Sequence, residues 1–279
     1  MFEFIQTNES TIRLGFFLGI LLLMAFWETL SPRRPTTVSR ARHWLNNLSL
    51  VVLNTLILRF VFPAAAVGMA ITSQQQGWGL FNNADWPLIY KVILSVVILD
   101  FVIWLQHVMV HAIPVLWRLH RVHHADPDYD TTTGLRFHPI EILFSMLVKF
   151  GAIILLGPPV VAVIIFEVIL NGMAMFNHGN VSLPGKLDRW VRFILVTPDM
   201  HRVHHSVEDH ETNSNFGFNL SIWDRLFGTY IDQPRLGHDD MQIGIRGFDE
   251  PKDIINLDGL LKLPFKGRIS DYVINRRNF

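Results

Sequence analysis

Apolar residues in this chain gather into long runs rather than alternating, which is the pattern of segments that cross a bilayer. The run from Leu14 to Trp27 carries no formal charge and continues to Leu30, where Ser31-Pro32-Arg33-Arg34 ends it. With its flanks it approaches the roughly 20 residues needed to cross about 30 Å of hydrocarbon. The leading MFEFIQTNES lacks Lys and Arg, and no small-x-small site follows, so a cleaved signal peptide is not expected. A second region, Trp44 to Ile71, is interrupted by Arg59 and Pro63. Its length suits a tilted span, with Arg59 either snorkelling or facing protein. A third runs from Pro87 to Gln106, with Lys91 near its start and Asp100 near its end. Ile142 to Phe176 is too long for one ordinary span and is split by Gly157-Pro158-Pro159. It reads as a helical hairpin that either crosses and returns or re-enters part-way. The expected fold is all-α and multi-pass, with about three spans plus the hairpin.

Composition agrees with a membrane protein. Half of the 279 residues are apolar, only 17% are charged, and the mean hydropathy is +0.29. Lys+Arg and Asp+Glu are equal at 24 each, so no global field points to nucleic acid. The distribution is uneven, however. Arg33, Arg34, Arg40 and Arg42 follow the first span, the 72–85 loop has no Lys or Arg, and Arg118, Arg121 and Arg136 follow the third. By the positive-inside rule the N-terminus lies outside, while the Arg33 loop, 107–141 and everything beyond Asn177 are cytoplasmic.

The chain has no cysteine, which excludes disulfides, thiolate zinc sites, iron–sulfur clusters and cysteine nucleophiles. It has 13 histidines, twelve of them after residue 106. His107 and His111 (HVMVH) share a helical face at i and i+4. His120, His123 and His124 follow in HRVHH, and the same pentapeptide returns at His201, His204 and His205. His178 stands just after the hairpin, and His138 precedes Pro139. Imidazole is a nitrogen ligand for zinc, copper, iron and nickel. The eight clustered histidines and His178 make nine candidate ligands, which exceed the needs of one tetrahedral zinc and suggest two metals. A lone HxxxH is weak on its own, because imidazoles at a membrane surface also bond headgroups; the repeated pentapeptide is the strong signal. His43, His210 and His238 belong to no cluster and read as surface or interface residues.

HxxxH, HxxHH and a second HxxHH after an apolar hairpin resemble the fatty acid hydroxylase and sterol desaturase superfamily of integral-membrane non-haem di-iron oxygenases. LWRLHRVHHADPDYD with TGLRFHPIE is similar to its first HxxHH region. NHGNVSLP, TPDMHRVHHS and NSNFGFNLSIWDRLFGTY are similar to its C-terminal signature, with Phe216 where Tyr is more usual. The similarity is best over roughly residues 100 to 230. The resemblance implies His107, His111, His120, His123, His124, His201, His204 and His205 as metal ligands, and His178 as an additional one. Some members have a fuller HxxxH at that corner, but position 174 here is Ala; His138 or a water could complete the set. It also implies two iron ions, with zinc possible in purified protein, acting with O2 to hydroxylate or desaturate an apolar lipid or sterol-like substrate. Fatty acids, sterols, alkylglycerols, sphingolipids and carotenoids are all served by related proteins.

The surrounding residues have structural readings first. Trp223, Asp224, Phe227 and Gly228 suit a packed turn, and Asn215 and Gly217 suit turn positions. Glu141, Asp199 and Asp224 are candidates to hold a ligand imidazole through its other ring nitrogen. Asp100, on the His107 face, suits the same role or pairing with an Arg. The chain divides into a transmembrane region (1–106), a His-box metal domain (107–234, with the hairpin 142–176) and a C-terminal cover (235–279). In the cover, Ile254, Ile255, Leu257, Leu260 and Leu261 approximate one apolar face, fitting either an interfacial helix or packing on the His domain. No G-x-G-x-x-G and no fused haem carrier is seen, so an external ferredoxin- or cytochrome-type electron donor is expected. The alternatives are a zinc-dependent membrane hydrolase or isomerase, a transmembrane haem carrier, and a pH or metal sensor. HExxH is absent, which weakens a zincin-like protease.

Overall fold

The computed structural model describes residues 2–248, 250–267 and Ile274. Short α1 (Phe2–Thr7) leads into α2 (Glu9–Leu30), followed by α3 (Arg40–Val61) and α4 (Ala65–Gln75). Proline 63 separates α3 from α4, because its ring and missing N–H stop a helix from continuing. Arg59, near the end of α3, is exposed rather than turned into the protein. The long α5 (Leu88–Ala112) runs without a break past the last apolar residues of its span and carries His107 and His111 in its final turns. Next come α6 (Pro114–His124), the hairpin legs α7 (Pro139–Leu156) and α8 (Val160–Asn177), α9 (Gly185–Val191) and α10 (Pro198–His204). The remaining helices are one or two turns long: α11 (Asp209–Thr212), α12 (Ile222–Leu226), α13 (Gly237–Asp240), α14 (Pro251–Ile254) and α15 (Leu257–Lys262). Among the described residues there is no strand, only two isolated bridges.

Five helical segments are long and apolar enough to cross a membrane: Glu9–Leu30, Arg40–Gln75, Leu88–Ala112, Pro139–Leu156 and Val160–Asn177. The protein is an all-α, multi-pass membrane protein. Each hairpin leg has 18 residues and so is about 27 Å long at 1.5 Å per residue. Its turn at Gly157 (φ +61°) meets the loop between α4 and α5. A Cβ on Gly157 would lie 2.4 Å from the Trp78 carbonyl, and one on Gly79 (φ +88°) 2.2 Å from the Gly157 nitrogen. Only glycine permits that approach and that backbone. The histidine-bearing ends of α5 and α8 lie at the other end of the bundle. There the Arg33 loop is fastened as well, through Arg33 N–H to the Asn180 carbonyl (2.8 Å) and Arg34 N–H to the Asn180 side chain (3.0 Å).

Inside the bundle Glu167 of α8 is buried and paired with Lys149 of α7 (3.3 Å) and Arg13 of α2 (3.2 Å). Charges at such depth persist only when paired. At the histidine end, Leu50, Trp117, Val122 and Ala125 form a core with Ile254, Ile255, Leu260 and Leu263. The C-terminal segment is therefore two short helices packed on α3 and α6, not one interfacial helix. The expected cover's residues 249, 268–273 and 275–279 lie outside the described residues.

Candidate metal centre

Three helices and one helix end aim nine imidazoles at one place. α5 supplies His107 and His111, α6 supplies His120, His123 and His124, α10 with its C-cap supplies His201, His204 and His205, and α8 ends on His178. Pro114 and Pro198 start α6 and α10, where a missing N–H costs nothing. The side chain of Thr197 caps α10 by accepting from Met200 N–H. None of the nine histidines is more than 2% exposed. Their nitrogens fall into two sets, each with all its ligand atoms within 4.8 Å of one another: His107, His111, His120, His124 and His204; and His123, His178, His201 and His205.

The proton positions decide what these nitrogens can do. A neutral imidazole has one N–H and one lone pair. His107 Nδ1 donates to the Phe216 carbonyl (2.8 Å), His120 Nδ1 to the Glu141 carboxylate (2.6 Å), and His178 Nδ1 to the Ala174 carbonyl (2.7 Å). His204 Nδ1 donates to the Ser214 carbonyl (2.7 Å) and His111 Nδ1 to the Asn213 side-chain oxygen (3.3 Å). These oxygens only accept, so in all five rings the lone pair is on Nε2. Yet the Nε2 atoms of His107 and His120 face each other at 3.1 Å, as do those of His111 and His124, His123 and His178, and His178 and His201. Between His107 and His120 there is no proton to share, and facing lone pairs repel unless a cation lies between them.

The spacing fits such a cation. Two nitrogens at about 2.1 Å from one ion are about 3.1 Å apart when they subtend near 95°, and about 3.4 Å apart at the tetrahedral angle. The 3.1 Å separations are thus within reach of a shared ion. Burial keeps the donors neutral. It pushes His123, His124, His201, His204 and His205 well below the ordinary imidazole value, and neighbouring imidazoles add to the shift. His178 is pushed down to about 3 despite its bond to the Ala174 carbonyl.

The peptide oxygens come from a bent segment. Asn215 adopts φ +49°, and its side chain bonds the Met200 carbonyl (2.9 Å), the Ile231 carbonyl (2.8 Å) and the Ile231 N–H (2.9 Å). Asp224 then accepts from Phe216 and Gly217 N–H at 2.8 Å each. Together these set the Ser214 and Phe216 carbonyls against His204 and His107. Aromatic rings close the site, with Phe137 stacked on His123 at 4.6 Å and Phe216 and Phe218 against His107.

A model of the fatty acid hydroxylase family matches residues 92–229, which include all nine histidines. Over 241 residues the chain is 32% identical to the ornithine lipid hydroxylase OlsE of Rhizobium tropici, covering 83% of this chain and 70% of that protein. The chain belongs to the fatty acid hydroxylase family. This hydroxylase-family chain is also 30% identical over 173 residues to the alkylglycerol monooxygenase of Xenopus tropicalis, covering 60% of this chain and 36% of that one. The human alkylglycerol monooxygenase is 29% identical over 163 residues, covering 56% of this chain and 34% of its own length. The chain thus spans only about a third of these monooxygenases. No solved structure matches significantly.

Of the family chain's other candidate residues, Glu141 alone touches one of the nine histidines. Asp224 acts one step away, through Phe216. Asp100 bonds neither a histidine nor an arginine; it accepts from the Trp223 indole (2.8 Å) and Leu220 N–H (3.3 Å). Asp199 pairs with Arg202 and approaches Arg33 at 3.8 Å. His138 is outside both sets: it caps α7 and points Nε2 at the Leu261 carbonyl (3.3 Å). Trp223, Asp224, Phe227 and Gly228 do form a packed turn, with Gly228 at φ +72°. His43 is not a surface residue. It is buried between Asp126 (2.7 Å) and Asp130 (3.0 Å), and this group ties α3 to the loop after α6. His238 is buried too, while His210 is exposed. The pairing of His43 with DPDYD left no local signal, since 83 residues separate it from Asp126.

Proposed function

We propose that this chain is an integral-membrane di-iron oxygenase that hydroxylates a C–H bond of a lipid with a long apolar chain, using O2 and an external ferredoxin- or cytochrome-type electron donor. The observation that carries the reading is the convergence of nine buried imidazoles in two sets, with Nε2 atoms facing one another at 3.1 Å in each. His107, His111, His120, His124 and His204 would hold one iron, and His123, His178, His201 and His205 the other. When bound, the metal pair supplies the O2 chemistry that places one oxygen atom into an unactivated C–H bond and releases the other as water. Two electrons and two protons must come from outside.

The protein's own part is to hold, orient and exclude. Glu141 takes the Nδ1–H of His120 and makes that ring a stronger donor, while the carbonyls of Phe216, Ser214 and Ala174 fix three other rings. Phe137, Phe216 and Phe218 keep water from the imidazoles. The lipid would approach from the bilayer alongside α5 and the α7–α8 hairpin. In this reading 1–106 anchors the chain, 107–234 holds the metals and 235–279 covers α6. The arginines on the histidine side, against none in the 72–85 loop, favour a cytoplasmic centre. Hydroxylation is preferred to desaturation because the similar proteins carry hydroxylase and monooxygenase names.

The test is purified protein with about two irons per chain, lipid-dependent O2 consumption with reductant, and loss of both in His204→Ala. An iron-free protein fully active with zinc, or turnover without O2 and reductant, would overturn it in favour of a zinc hydrolase or isomerase.

A further inference from the structure

Helix α9 and the segment after it are inside out. Their charged Asp188 and Arg192 are buried and paired with each other, while Leu187 is 49%, Trp190 78%, Phe193 66% and Ile194 59% exposed. Beside them Leu226 is 69% and Phe227 52% exposed. A surface meeting only water is built the other way round, and a contiguous apolar patch marks an interaction site.

This patch is a fixed surface. Ser221 N–H donates to the Ile194 carbonyl (2.9 Å), Val196 N–H to the Asn219 carbonyl (2.9 Å), and Ser221 Oγ to the Arg192 carbonyl (2.7 Å). Arg225 lies over Tyr230 at 3.8 Å and Phe193 at 5.3 Å. The patch is also continuous with a membrane-crossing helix. Phe227 stacks on Trp104 (4.7 Å) and Phe101 (5.9 Å), and Trp223 meets Phe101 at 5.0 Å. Phe101 and Trp104 lie inside α5, not at its end, so the patch flanks the membrane-crossing helix itself. Lys186 and Arg189 are exposed on α9, whose acidic Asp188 is buried.

We propose that residues 185–195 and 222–227 form a lip embedded in the headgroup region of the leaflet on the histidine side, its apolar residues in the acyl boundary and Lys186 and Arg189 on anionic phospholipid. The lip leads directly into α10, so it sets the second HRVHH at the membrane surface. This goes beyond the proposed reaction and does not depend on which metal is bound.

Because the chain has no cysteine, single substitutions give unique labels. Full-length Trp190→Cys and Ile194→Cys, each carrying a nitroxide, are placed in nanodiscs of phosphatidylcholine with phosphatidylglycerol at one copy per disc. Leu22→Cys serves as the bilayer reference and Arg235→Cys as the aqueous one, with helicity checked by circular dichroism. Collisions with a water-soluble nickel complex should be several-fold rarer at 190 and 194 than at 235, and collisions with O2 correspondingly more frequent. Adding Lys186→Glu and Arg189→Glu should move both labels toward the aqueous reference. Nickel access equal to that at 235 would overturn the proposal. So would protection that appears only with two copies per disc, which would assign the patch to a second copy of the chain.

Discussion

At the scale of single residues, the centre depends on oxygens that orient imidazoles. Glu141 is the only carboxylate on any of the nine rings among the described residues. Glu141→Ala should weaken metal binding about 10–100-fold, while Glu141→Gln keeps part of it because the amide oxygen still accepts. Metal retained after dialysis against a graded chelator series measures both. Protons compete for the same nitrogens. In metal-free protein His123, His124, His178, His201, His204 and His205 titrate well below the unfolded value of about 6.5, so the unfolded state binds more protons and stability falls as pH drops below that value. The loss continues toward about 3, where His178 titrates. Asp126 acts in a lower window. Burial alone would raise it, but His43 and Arg136 hold it at about 2, so its contribution is lost only as pH falls from about 4. Thermal unfolding of metal-free protein should therefore show a falling midpoint between pH 8 and 5, and an unchanged midpoint across that range would contradict the buried neutral state. The nine histidines were legible because a repeated HRVHH and an HVMVH carry their own spacing. The carbonyls that orient them were not, since any residue has one, and two of the oxygens are turned inward only by the bend at Asn215 and the Asp224 bonds to Phe216 and Gly217 N–H.

At the scale of elements, span number and the hairpin followed from run length and from Gly157-Pro158-Pro159. The register between elements did not. The hairpin turn's contact with the loop before α5 rests on two glycines at positive φ. Gly157→Ala should cost about 1 kcal/mol or more, from backbone strain and the clash with Trp78. Metal content should stay unchanged, because the centre lies at the opposite end; differential scanning with metal analysis checks both. Asp100 meets neither an imidazole nor an arginine. Its helical face was right, but α12 reaches it first and supplies an indole N–H.

At the scale of the molecule, α3 is joined to the metal-bearing half through His43. His43→Leu would take the imidazole from both Asp126 and Asp130, leaving the buried Asp126 only Arg136 at 3.4 Å as a cationic neighbour; breaking a buried pair in this way typically costs about 3–5 kcal/mol. We expect a sharp fall in folded yield, read by size-exclusion recovery and proteolysis. Orientation is testable with the same cysteine-free background: Asn83→Cys should react with an impermeant maleimide on intact cells, and Asp240→Cys only after lysis. The reverse pattern would place the centre outside.

Chain order by itself determined that this is a helical membrane protein with histidine clusters spaced to hold metal, because hydrophobic runs and helical spacing are local and survive without any knowledge of the fold. Tertiary structure alone decided which imidazoles lie close enough to share an ion, which oxygens hold them, where His43 and Glu167 find their counter-charges, and that α9 exposes its apolar side. Those outcomes depend on distances between residues far apart in the chain, and in the low dielectric of the interior each buried charge or N–H must find its partner wherever the fold provides one.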